Sequence, residues 1–289
     1  MRVGVIGVGN MGAPMAARRC ERGFAVAVRD LRPEAEAPLG ATVARSAAEL
    51  AAAVDALCVV VVDAAQIEAA LFTEPQAAHT ALRAGQTVLL HSTIAPQEAA
   101  AIAQRLAALG VQVLDAPISG GPARARAGTL SIMAAGDEAA YAWAQPVLAA
   151  LGDRVFHVGA VPGQGAAMKL VNNLLAGVNL AAAAQAFALG ARAGLDPRTM
   201  LDVVNASSGA SWIGADRAAR AVADDFAPRA HTKILAKDMQ LALALARQLD
   251  VPVPLGDEAA AMFRAALAAG YADADDAALF TLAQKPPAV

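Results

Sequence analysis

The stretch that decides the fold is RVGVIGVGNMG, residues 2–12. Its apolar start, Arg2–Ile6, has the character of a buried strand, and the helical segment Met11–Arg22 follows it. Between them stands a G-x-G-x-x-G pattern formed by Gly7, Gly9 and Gly12. Strand, glycine loop and helix in this order are the fingerprint of a dinucleotide-binding unit. Its glycines permit a tight turn, a close approach to a pyrophosphate and close helix packing, while the helix N-terminus stabilises the phosphate charge.

An acidic residue follows at the expected distance. Asp30 ends the next predicted strand, Phe24–Val28, and lies 18 residues beyond Gly12, where the fingerprint places a ribose-binding carboxylate at about 20. A carboxylate there accepts bonds from both ribose hydroxyls and repels a 2′-phosphate, which favours NAD over NADP. Arg29 and Arg32 favour the opposite, because a guanidinium can pair with a 2′-phosphate. The alternative for Asp30 is a solvated turn.

Composition excludes several classes of protein. The 289 residues are 57% hydrophobic and 17% charged, which excludes a disordered chain, and the net charge of −3 argues against nucleic acid as a partner. Two cysteines, Cys20 and Cys58, exclude a disulfide scaffold and a cysteine zinc site, and the four histidines lack metal-ligand spacing. The spacing of the cysteines and histidines thus predicts a protein without a metal. No export signal is recognisable, so we expect a cytoplasmic protein.

Strand-like runs alternate with helical stretches in the first half of the chain. The further strand candidates are Ala56–Val62, Gln86–His91, Val111–Asp115, Thr129–Ala134 and Val155–Val158. This alternation predicts a parallel, doubly wound Rossmann-type sheet over residues 1–162. Residues 163–289 are predicted to form an all-helical domain for substrate binding and oligomerisation, beginning with a long interdomain helix over 164–193.

That interdomain helix contains 22 residues without a charge, Leu170–Ala191, which is long enough to span a bilayer. Its amides, among them Asn172, Asn173 and Gln185, are costly in hydrocarbon, so we expect a soluble protein. The helix is also too apolar for an open surface, which favours a homo-oligomer, a dimer or a tetramer.

A lysine directly precedes the charge-free stretch of this helix. Lys169 and Asn173 are four residues apart and share a helix face, with Asn172 on its edge. The residue can be an ordinary snorkelling lysine, but the neighbouring amides suggest a group that positions a polar ligand. A partly desolvated lysine can exchange a proton near neutral pH.

Two further segments end strands at the carboxyl edge of the predicted sheet, where ligands bind in this fold class. One is Ser119-Gly120-Gly121, whose backbone N–H groups can meet an anion, although such glycines also serve turns that need positive φ. The other is His91-Ser92-Thr93.

Four segments together resemble the β-hydroxyacid dehydrogenases, the family that contains 3-hydroxyisobutyrate dehydrogenase and tartronate semialdehyde reductase. The resemblance covers about residues 2–284. Its carriers are the glycine loop with Ala13–Ala16, Asp115–Gly121, Gly163–Gly165 with Lys169 and Asn173, and Ala236-Lys237-Asp238.

The resemblance implies reversible hydride transfer between NAD and a small 3-hydroxy acid. Lys169 would be the general acid/base, Asn173 would hold the substrate, and Ser119, Gly120 and Gly121 would bind its carboxylate. Thr93 would lie between cofactor and substrate, and Trp212 near the substrate. Lys237 would reach back to the active site. The implied cofactor contacts are Gly7, Gly9, Asn10, Met11, Gly12, Asp30, Val62, Thr93 and Lys237.

Within the family, three segments look most like the branch that oxidises four-carbon sugar acids such as threonate. They are Val61–Gln66, Leu174–Gly177 and Ser211-Trp212-Ile213 with Arg217. Asp63 stands where many members have proline. Arg217 would add an anion or hydroxyl contact, or is an ordinary surface arginine.

Two alternatives have distinct consequences. An NADPH-dependent imine reductase shares the architecture, but such enzymes usually lack the lysine matching Lys169 and avoid an acidic residue at the position of Asp30. A non-catalytic NAD-binding module would bind NAD without turnover, and it would need only the first domain.

Overall fold

A computed structural model describes residues 1–36 and 41–284 of the chain. The chain divides into two compact units, Met1–Lys169 and Leu170–Val289. Unit 1 contains every strand named below, and unit 2 is built of helices. The helix that carries Lys169 and Asn173 runs through the division.

Unit 1 alternates strands and helices as predicted. Its strands are β1 (Arg2–Ile6), β2 (Ala25–Arg29), β3 (Thr42–Val43), β4 (Ala56–Val59), β5 (Thr87–Leu90), β6 (Gln112–Asp115), β7 (Ile118–Ser119), β8 (Ser131–Ala135) and β9 (Arg154–Gly159). Its helices are α1 (Gly12–Glu21), α2 (Pro33–Glu36), α3 (Ala47–Ala53), α4 (Ala64–Glu68), α5 (Pro96–Ala107), α6 (Gly121–Ala127) and α7 (Glu138–Ala149).

The strands form one sheet in the order β3-β2-β1-β4-β5-β6-β8-β7, and β9 pairs with β8. Six strands from β3 to β6 are parallel, with Val3 beside Val26 and Ala56. Apolar side chains cover both faces of the sheet, one cluster around Met15 and Leu114 and another around Leu50 and Leu90. The predicted Rossmann-type fold class is therefore confirmed, because two-sided burial accompanies parallel pairing.

Three predictions for the sheet need correction. The strand predicted over Ala56–Val62 ends at Val59, because the Val61 N–H turns away to the Ser92 hydroxyl (3.1 Å). β8 runs antiparallel to β6, since the chain turns back through the short strand β7 and α6 without crossing over the sheet. The Gly-rich pattern after Asp115 predicts a turn, but Ile118–Ser119 form the short strand β7.

One helix of unit 1 changes its winding. α4 continues into a π-helical turn, Ala69–Thr73, in which the Glu74 N–H reaches the Ala69 carbonyl five residues back. Arg105 of α5 lies over the Phe72 ring, 3.5 Å from its centroid, and pairs with Glu68. These contacts hold the π turn against the neighbouring helix.

Helix α8 (Gln164–Arg192) begins in unit 1 and continues into unit 2, where α9 (Pro197–Asn205), α10 (Trp212–Val222), α11 (Thr232–Gln248), α12 (Pro254–Ala268) and α13 (Ala278–Gln284) follow. The core of unit 2 gathers around Phe187, Met239, Phe263 and Phe280. The helical pattern near the end of the chain predicts a final helix over 275–283. It begins at Ala278, because the Asp275 carboxylate instead accepts the N–H groups of Arg229, Ala230 and Ala277.

By length and composition, α8 is the one helix among the described residues that could cross a membrane, and a third of its most apolar window is buried in the fold. Gly177 lies so close to Met239 that a Cβ there would overlap its sulfur. This part of α8 therefore packs tightly within unit 2.

Candidate active site

The glycine loop has the shape that a dinucleotide requires. Gly7 has φ +86°, and a Cβ on it would overlap the Val60 carbonyl, while a Cβ on Gly12 would overlap the Gly7 carbonyl. At Gly9, a Cβ would meet only the end of the Arg32 side chain, at 3.3 Å. Two glycines therefore permit the close backbone packing, and the middle one keeps space beside the loop.

The start of α1 is one of several helix starts that lack a side-chain cap, as are those of α6, α11 and α12 in the part of the chain that the structure describes. Side chains of Ser46, Asp137, Asp196 and Ser211 cap α3, α7, α9 and α10, respectively. Within the described residues no side-chain cap bond forms at Met11, where α1 starts. A phosphate can take the place of such a cap, because helix N-terminal N–H groups bind anions. The loop thus fits a dinucleotide pyrophosphate.

Asp30 is buried at the end of β2. One carboxylate oxygen accepts the Val8 N–H (2.8 Å), and the other accepts the backbone N–H (3.0 Å) and Nε (3.2 Å) of Arg32. Burial opposes ionisation of Asp30, but these bonds outweigh it and hold the pKa below its ordinary value. A carboxylate has about four acceptor positions, so ribose hydroxyls can still bind there.

The two arginines near Asp30 are differently placed. Arg29 is turned to the Glu36 carboxylate (3.2 Å) and to the Asp30 carbonyl. Arg32 is mostly exposed and stays with Asp30. Arg32 is therefore the arginine that can turn toward a ligand at the glycine loop.

Val62 lies beyond the end of β4 and is half exposed. Its N–H donates to the Gln66 side chain (3.0 Å), and Asp63 caps α4 by accepting the Gln66 N–H (2.9 Å). Asp63 thus shapes the segment at the position where many members of the resembled family have proline.

A buried histidine connects two strand ends. His91 follows β5, and its Nδ1 lies 2.7 Å from the Ala116 carbonyl, an acceptor, so Nδ1 carries the hydrogen. Nε2 then accepts from Arg19 of α1 (3.4 Å). Burial, assisted by the Arg19 charge, lowers the pKa of His91 to about 3. Neutral His91 therefore connects two segments. One is the segment after β5, which contains Ser92 and Thr93, and the other is the segment after β6, which contains Ala116.

Thr93 is half-buried, and Ser119 is half-buried in β7 opposite Ser131. Gly120 and Gly121 have φ +134° and +74°, and α6 begins at Gly121. A Cβ on Gly121 would meet nothing within 4 Å. Both glycines thus serve the turn, and the open space beside Gly121 leaves its backbone approachable by an anion.

Lys169 lies on α8, with 8% of its surface exposed. Asn173, one helical turn further on, is also buried. Its amide N–H group donates to Asp238 of α11 (2.7 Å), and its carbonyl accepts from Asn172 (3.0 Å). Because a carboxylate only accepts, Asp238 fixes the orientation of the Asn173 amide.

Asp238 also binds the second predicted lysine, since Lys237 Nζ lies 2.8 Å from its other oxygen. One polar chain within unit 2 therefore connects Asn172, Asn173, Asp238 and Lys237. The sequence offered Asp238 only as part of a motif, because no pattern signals a contact across 65 residues. His91 and Arg19 were missed as a pair for the same reason.

Trp212 begins α10 and is more than half exposed. Arg217, on the same helix, has only 12% of its side chain exposed and is bound to Asp276 (2.6 and 3.1 Å) and Asp216 (2.5 Å). Arg217 is therefore neither an ordinary surface arginine nor an uncommitted anion ligand. To bind a substrate, it would have to leave a buried carboxylate.

The comparisons with known proteins cover both parts of the chain. Residues 2–159 match the NAD binding domain of 6-phosphogluconate dehydrogenase, and residues 163–283 match the domain described as NAD-binding of NADP-dependent 3-hydroxyisobutyrate dehydrogenase. The first part is thus an NAD(P)-binding domain. Helix α8 belongs to the second match and is not an appended segment.

Relatives match over nearly the whole length. L-threonate dehydrogenase of Cupriavidus necator is 41% identical over 97% of this chain and 95% of its own. L-threonate dehydrogenase of Escherichia coli K12 is 40% identical, over 97% and 94%. The crystal structure of 3-hydroxyisobutyrate dehydrogenase from Salmonella typhimurium has 40% identity and a TM-score of 0.90, covering 98% of this chain and 99% of that one.

Fold, site and matches together define an NAD(P)-dependent oxidoreductase that acts on the CH–OH group of its donors. The chain belongs to the β-hydroxyacid dehydrogenase family, which contains 3-hydroxyisobutyrate dehydrogenase. The family resemblance stated from the sequence is therefore confirmed.

The two alternatives lose support. An imine reductase from Pseudomonas shares 23% identity at a TM-score of 0.64, which shows a common fold alone. A lone dinucleotide-binding module would not account for the match over residues 163–283.

Proposed function

We propose that this enzyme oxidises a four-carbon sugar acid such as threonate, with NAD as the hydride acceptor and Lys169 as the general acid/base. The observation that carries the proposal is the burial of Lys169 and Asn173 one turn apart on α8, in a chain 41% identical to a threonate dehydrogenase. A lysine withdrawn from solvent beside a fixed amide suits proton exchange with a bound alcohol.

The chain's own groups divide the work in the proposed reaction. Ser119, Gly120 and Gly121 bind the substrate carboxylate, and Asn173 holds the hydroxyl. Lys169 Nζ takes the hydroxyl proton as the C–H bond breaks, and the carbinol becomes a carbonyl. NAD, when bound, supplies the hydride acceptor. In reverse, the Lys169 ammonium stabilises and then protonates the oxygen.

The remaining predicted contacts serve the cofactor and the pocket wall. Thr93 lies between substrate and cofactor in the proposal, Lys237 and Val62 contact the cofactor, and Trp212 borders the substrate. Arg217 is left out of the substrate contacts because Asp276 and Asp216 already hold it.

The substrate is the first point to test. Absorbance of NADH is followed with threonate, erythronate, 3-hydroxyisobutyrate, glycerate, serine and 4-hydroxybutyrate. We expect the highest kcat/KM with threonate or erythronate. A preference for 3-hydroxyisobutyrate would contradict the sugar-acid assignment while retaining the family chemistry, since the similar Salmonella structure bears that name.

Removal of the proposed acid/base tests the mechanism. Lys169→Ala should lower kcat by roughly 100- to 10,000-fold, the usual contribution of acid–base catalysis, while NAD still binds. The matched control is Lys233→Ala, which removes an exposed lysine paired with Asp273 and should leave kcat unchanged. Near-normal turnover by Lys169→Ala would end the proposed role.

Cofactor choice follows from Asp30. Its carboxylate is held by Val8 and Arg32 at the end of β2, which supports ribose binding and repels a 2′-phosphate. We expect NAD to have the higher kcat/KM, and Asp30→Ser to reduce the NAD-to-NADP ratio at least tenfold. Asp63→Ser, which alters the cap of α4, is the control. A wild-type preference for NADP would point instead to Arg32.

The enzyme is also proposed to be a soluble, cytoplasmic homo-oligomer. Val171, Leu175 and Leu189 on α8 are more than half exposed, and exposed apolar rows of this kind favour association. Light scattering at micromolar concentration should give a dimer or a tetramer, and a monomer would contradict this.

We further propose domains 1–162 and 163–289. The family matches change between residues 159 and 163, and the compact units change at 169.

A further inference from the structure

One fully buried carboxylate lies outside the set of residues that the proposed reaction uses. Asp115 ends β6 and has no exposed surface. Its Oδ2 accepts the N–H groups of Gly163 (2.9 Å) and Ala166 (2.7 Å), where α8 begins. Its Oδ1 is buried without a hydrogen-bond partner among the described residues. Asp115 thus binds the first turn of the helix that carries Lys169.

The backbone around this contact is tightly packed. A Cβ on Gly165 would lie 2.6 Å from the carbonyl oxygens of both Asp115 and Met133. Gly163 has φ +104°, and a Cβ there would lie 2.8 Å from the Pro96 carbonyl. The start of α8 therefore rests directly on the end of β6 and the middle of β8, and it cannot shift without losing these contacts.

The same residue leads into the proposed carboxylate-binding loop. Ala116, next in the chain, gives its carbonyl to His91 (2.7 Å), and Ser119–Gly121 follow three residues later. On the other side, Lys169 lies four residues past Gly165, about 6 Å further along the helix axis. Asp115 therefore joins the segment with the proposed anion contacts to the helix with the proposed proton acceptor.

Holding the start of α8 with a buried carboxylate is energetically unfavourable, because burial opposes ionisation of Asp115. Burial raises the pKa of Asp115 to about 6, although N–H groups of Ala166, Gly163 and Gly165 favour its charged form. An exposed aspartate caps α7 without any such burial, since Asp137 accepts the N–H groups of Ala139 and Ala140 at its surface. A cap alone thus does not explain why a carboxylate is buried at residue 115.

We propose that Asp115 is a positioning residue that sets Lys169 of α8 relative to the Ser119–Gly121 loop. The inference rests on the proposed function, because it assigns a purpose to the distance between two groups of that site. Asp115 itself does not contact the substrate. Its two N–H bonds fix the helix start, and through it the height of Lys169 along the helix.

Two variants of one residue test this directly. Asp115→Ala removes the acceptor, and we expect kcat to fall at least tenfold with unchanged affinity for NAD, because misplacement by about 1 Å can cost about 100-fold in rate. Asp115→Asn keeps a carbonyl oxygen for both N–H groups, and kcat should stay within about threefold of the wild type. This rescue separates positioning from a requirement for charge.

Asp137→Ala is the matched control, because it removes the cap of α7 in the same unit and should lower the melting temperature without changing kcat. If Asp115→Ala does not fold, Asp115→Ser takes its place, since its shorter hydroxyl cannot serve both N–H groups. Wild-type kcat in the variant used, or an Asp115→Asn enzyme as slow as Asp115→Ala, would overturn the proposal.

Lys169→Ala, measured alongside, distinguishes the two levels of the argument. If Lys169→Ala keeps its turnover, the proposed function fails, and the inference fails with it. If Lys169→Ala loses turnover while Asp115→Ala keeps it, only the positioning role of Asp115 is wrong.

Discussion

The two compact units stabilise their buried polar groups in different ways. In unit 1, Asp30, Asp115 and His91 bind mainly backbone groups: the N–H of Val8, the N–H groups of Gly163 and Ala166, and the carbonyl of Ala116. In unit 2, buried charges form side-chain pairs, although Asp275 also accepts backbone N–H groups. Arg220 pairs with Asp275 (2.5 Å) and Arg217 with Asp276 (2.6 Å).

The difference determines what a substitution leaves behind. A backbone partner cannot be removed by mutation, and a neutral side chain of the same shape can still bind it. A buried side-chain pair is more sensitive, because removing one member leaves the other buried and charged without its partner. Unit 1 should therefore tolerate isosteric replacement better than unit 2.

The chain allows each unit to be followed separately. It has two tryptophans, Trp143 packed against the core of unit 1 and Trp212 on α10 of unit 2. Trp143→Phe leaves fluorescence from unit 2, and Trp212→Phe leaves fluorescence from unit 1. Each background gives its own urea transition, which matters because two units need not unfold together.

The largest effect is expected in unit 2. Asp275→Ala leaves buried Arg220 with only the more distant carboxylate of Asp216 (3.7 Å) as an ion-pair partner among the described residues, and it should lower the free energy of unfolding by about 3–5 kcal/mol. Trp212 fluorescence during urea unfolding measures it. The control is Asp273→Ala, two residues away, where the loss of an exposed pair with Lys233 should cost much less stability, because solvent screens the pair. Equal costs for the two variants would mean that burial does not determine the cost of losing a side-chain pair in unit 2.

A pH-dependent effect of intermediate size is expected at Asp115. The pKa of Asp115 is raised from 3.8 to about 6 in the folded protein. Between these two pH values, Asp115 is therefore protonated in the folded protein and ionised in the unfolded chain. The stability it contributes is therefore present below pH 3.8 and lost as the pH rises through 6. Relative to Asp115→Asn, the wild type should lose about 3 kcal/mol between pH 3 and pH 8. A difference independent of pH, followed by Trp143 fluorescence, would contradict this.

The smallest effect is expected at His91. His91→Phe leaves the Ala116 carbonyl buried without its donor, which should cost about 1–3 kcal/mol. His157→Phe is the control, because exposed His157 donates to the Gly136 carbonyl where water can replace it. With the pKa of His91 lowered to about 3, its contribution is lost as the pH falls below 6.5, opposite in sign to Asp115. Nitrogen NMR should show a neutral ring with hydrogen on Nδ1 at pH 5, and a charged ring would refute the assignment.

Much of unit 1 could be predicted from the sequence because its signals are local. The glycine loop, the Val-rich strands and the helix at Lys169 each lie in one continuous segment, and the observed bounds differ from the predicted ones by a few residues. The direction of β8 could not be predicted in this way. Strand–helix alternation does not distinguish a crossover from the return through β7 and α6.

The candidate site divides similarly. Asp30, Lys169 and Ser119–Gly121 were named as candidates from spacing and from family motifs. Asp238 beside Asn173, and His91 beside Arg19, depend on contacts across 65 and 72 residues, which the order of residues does not encode locally. The commitment of Arg217 to Asp276 was hidden for the same reason.

The π turn at Ala69–Thr73 restricts how this chain can change in length. Because each residue of a regular helix advances by about 100°, loss of one residue here would rotate Leu71 away from the core and Phe72 away from Arg105. A deletion that most surface loops would absorb should therefore be harmful in this turn. Designs that shorten or graft the segment after β4 should keep its residue count.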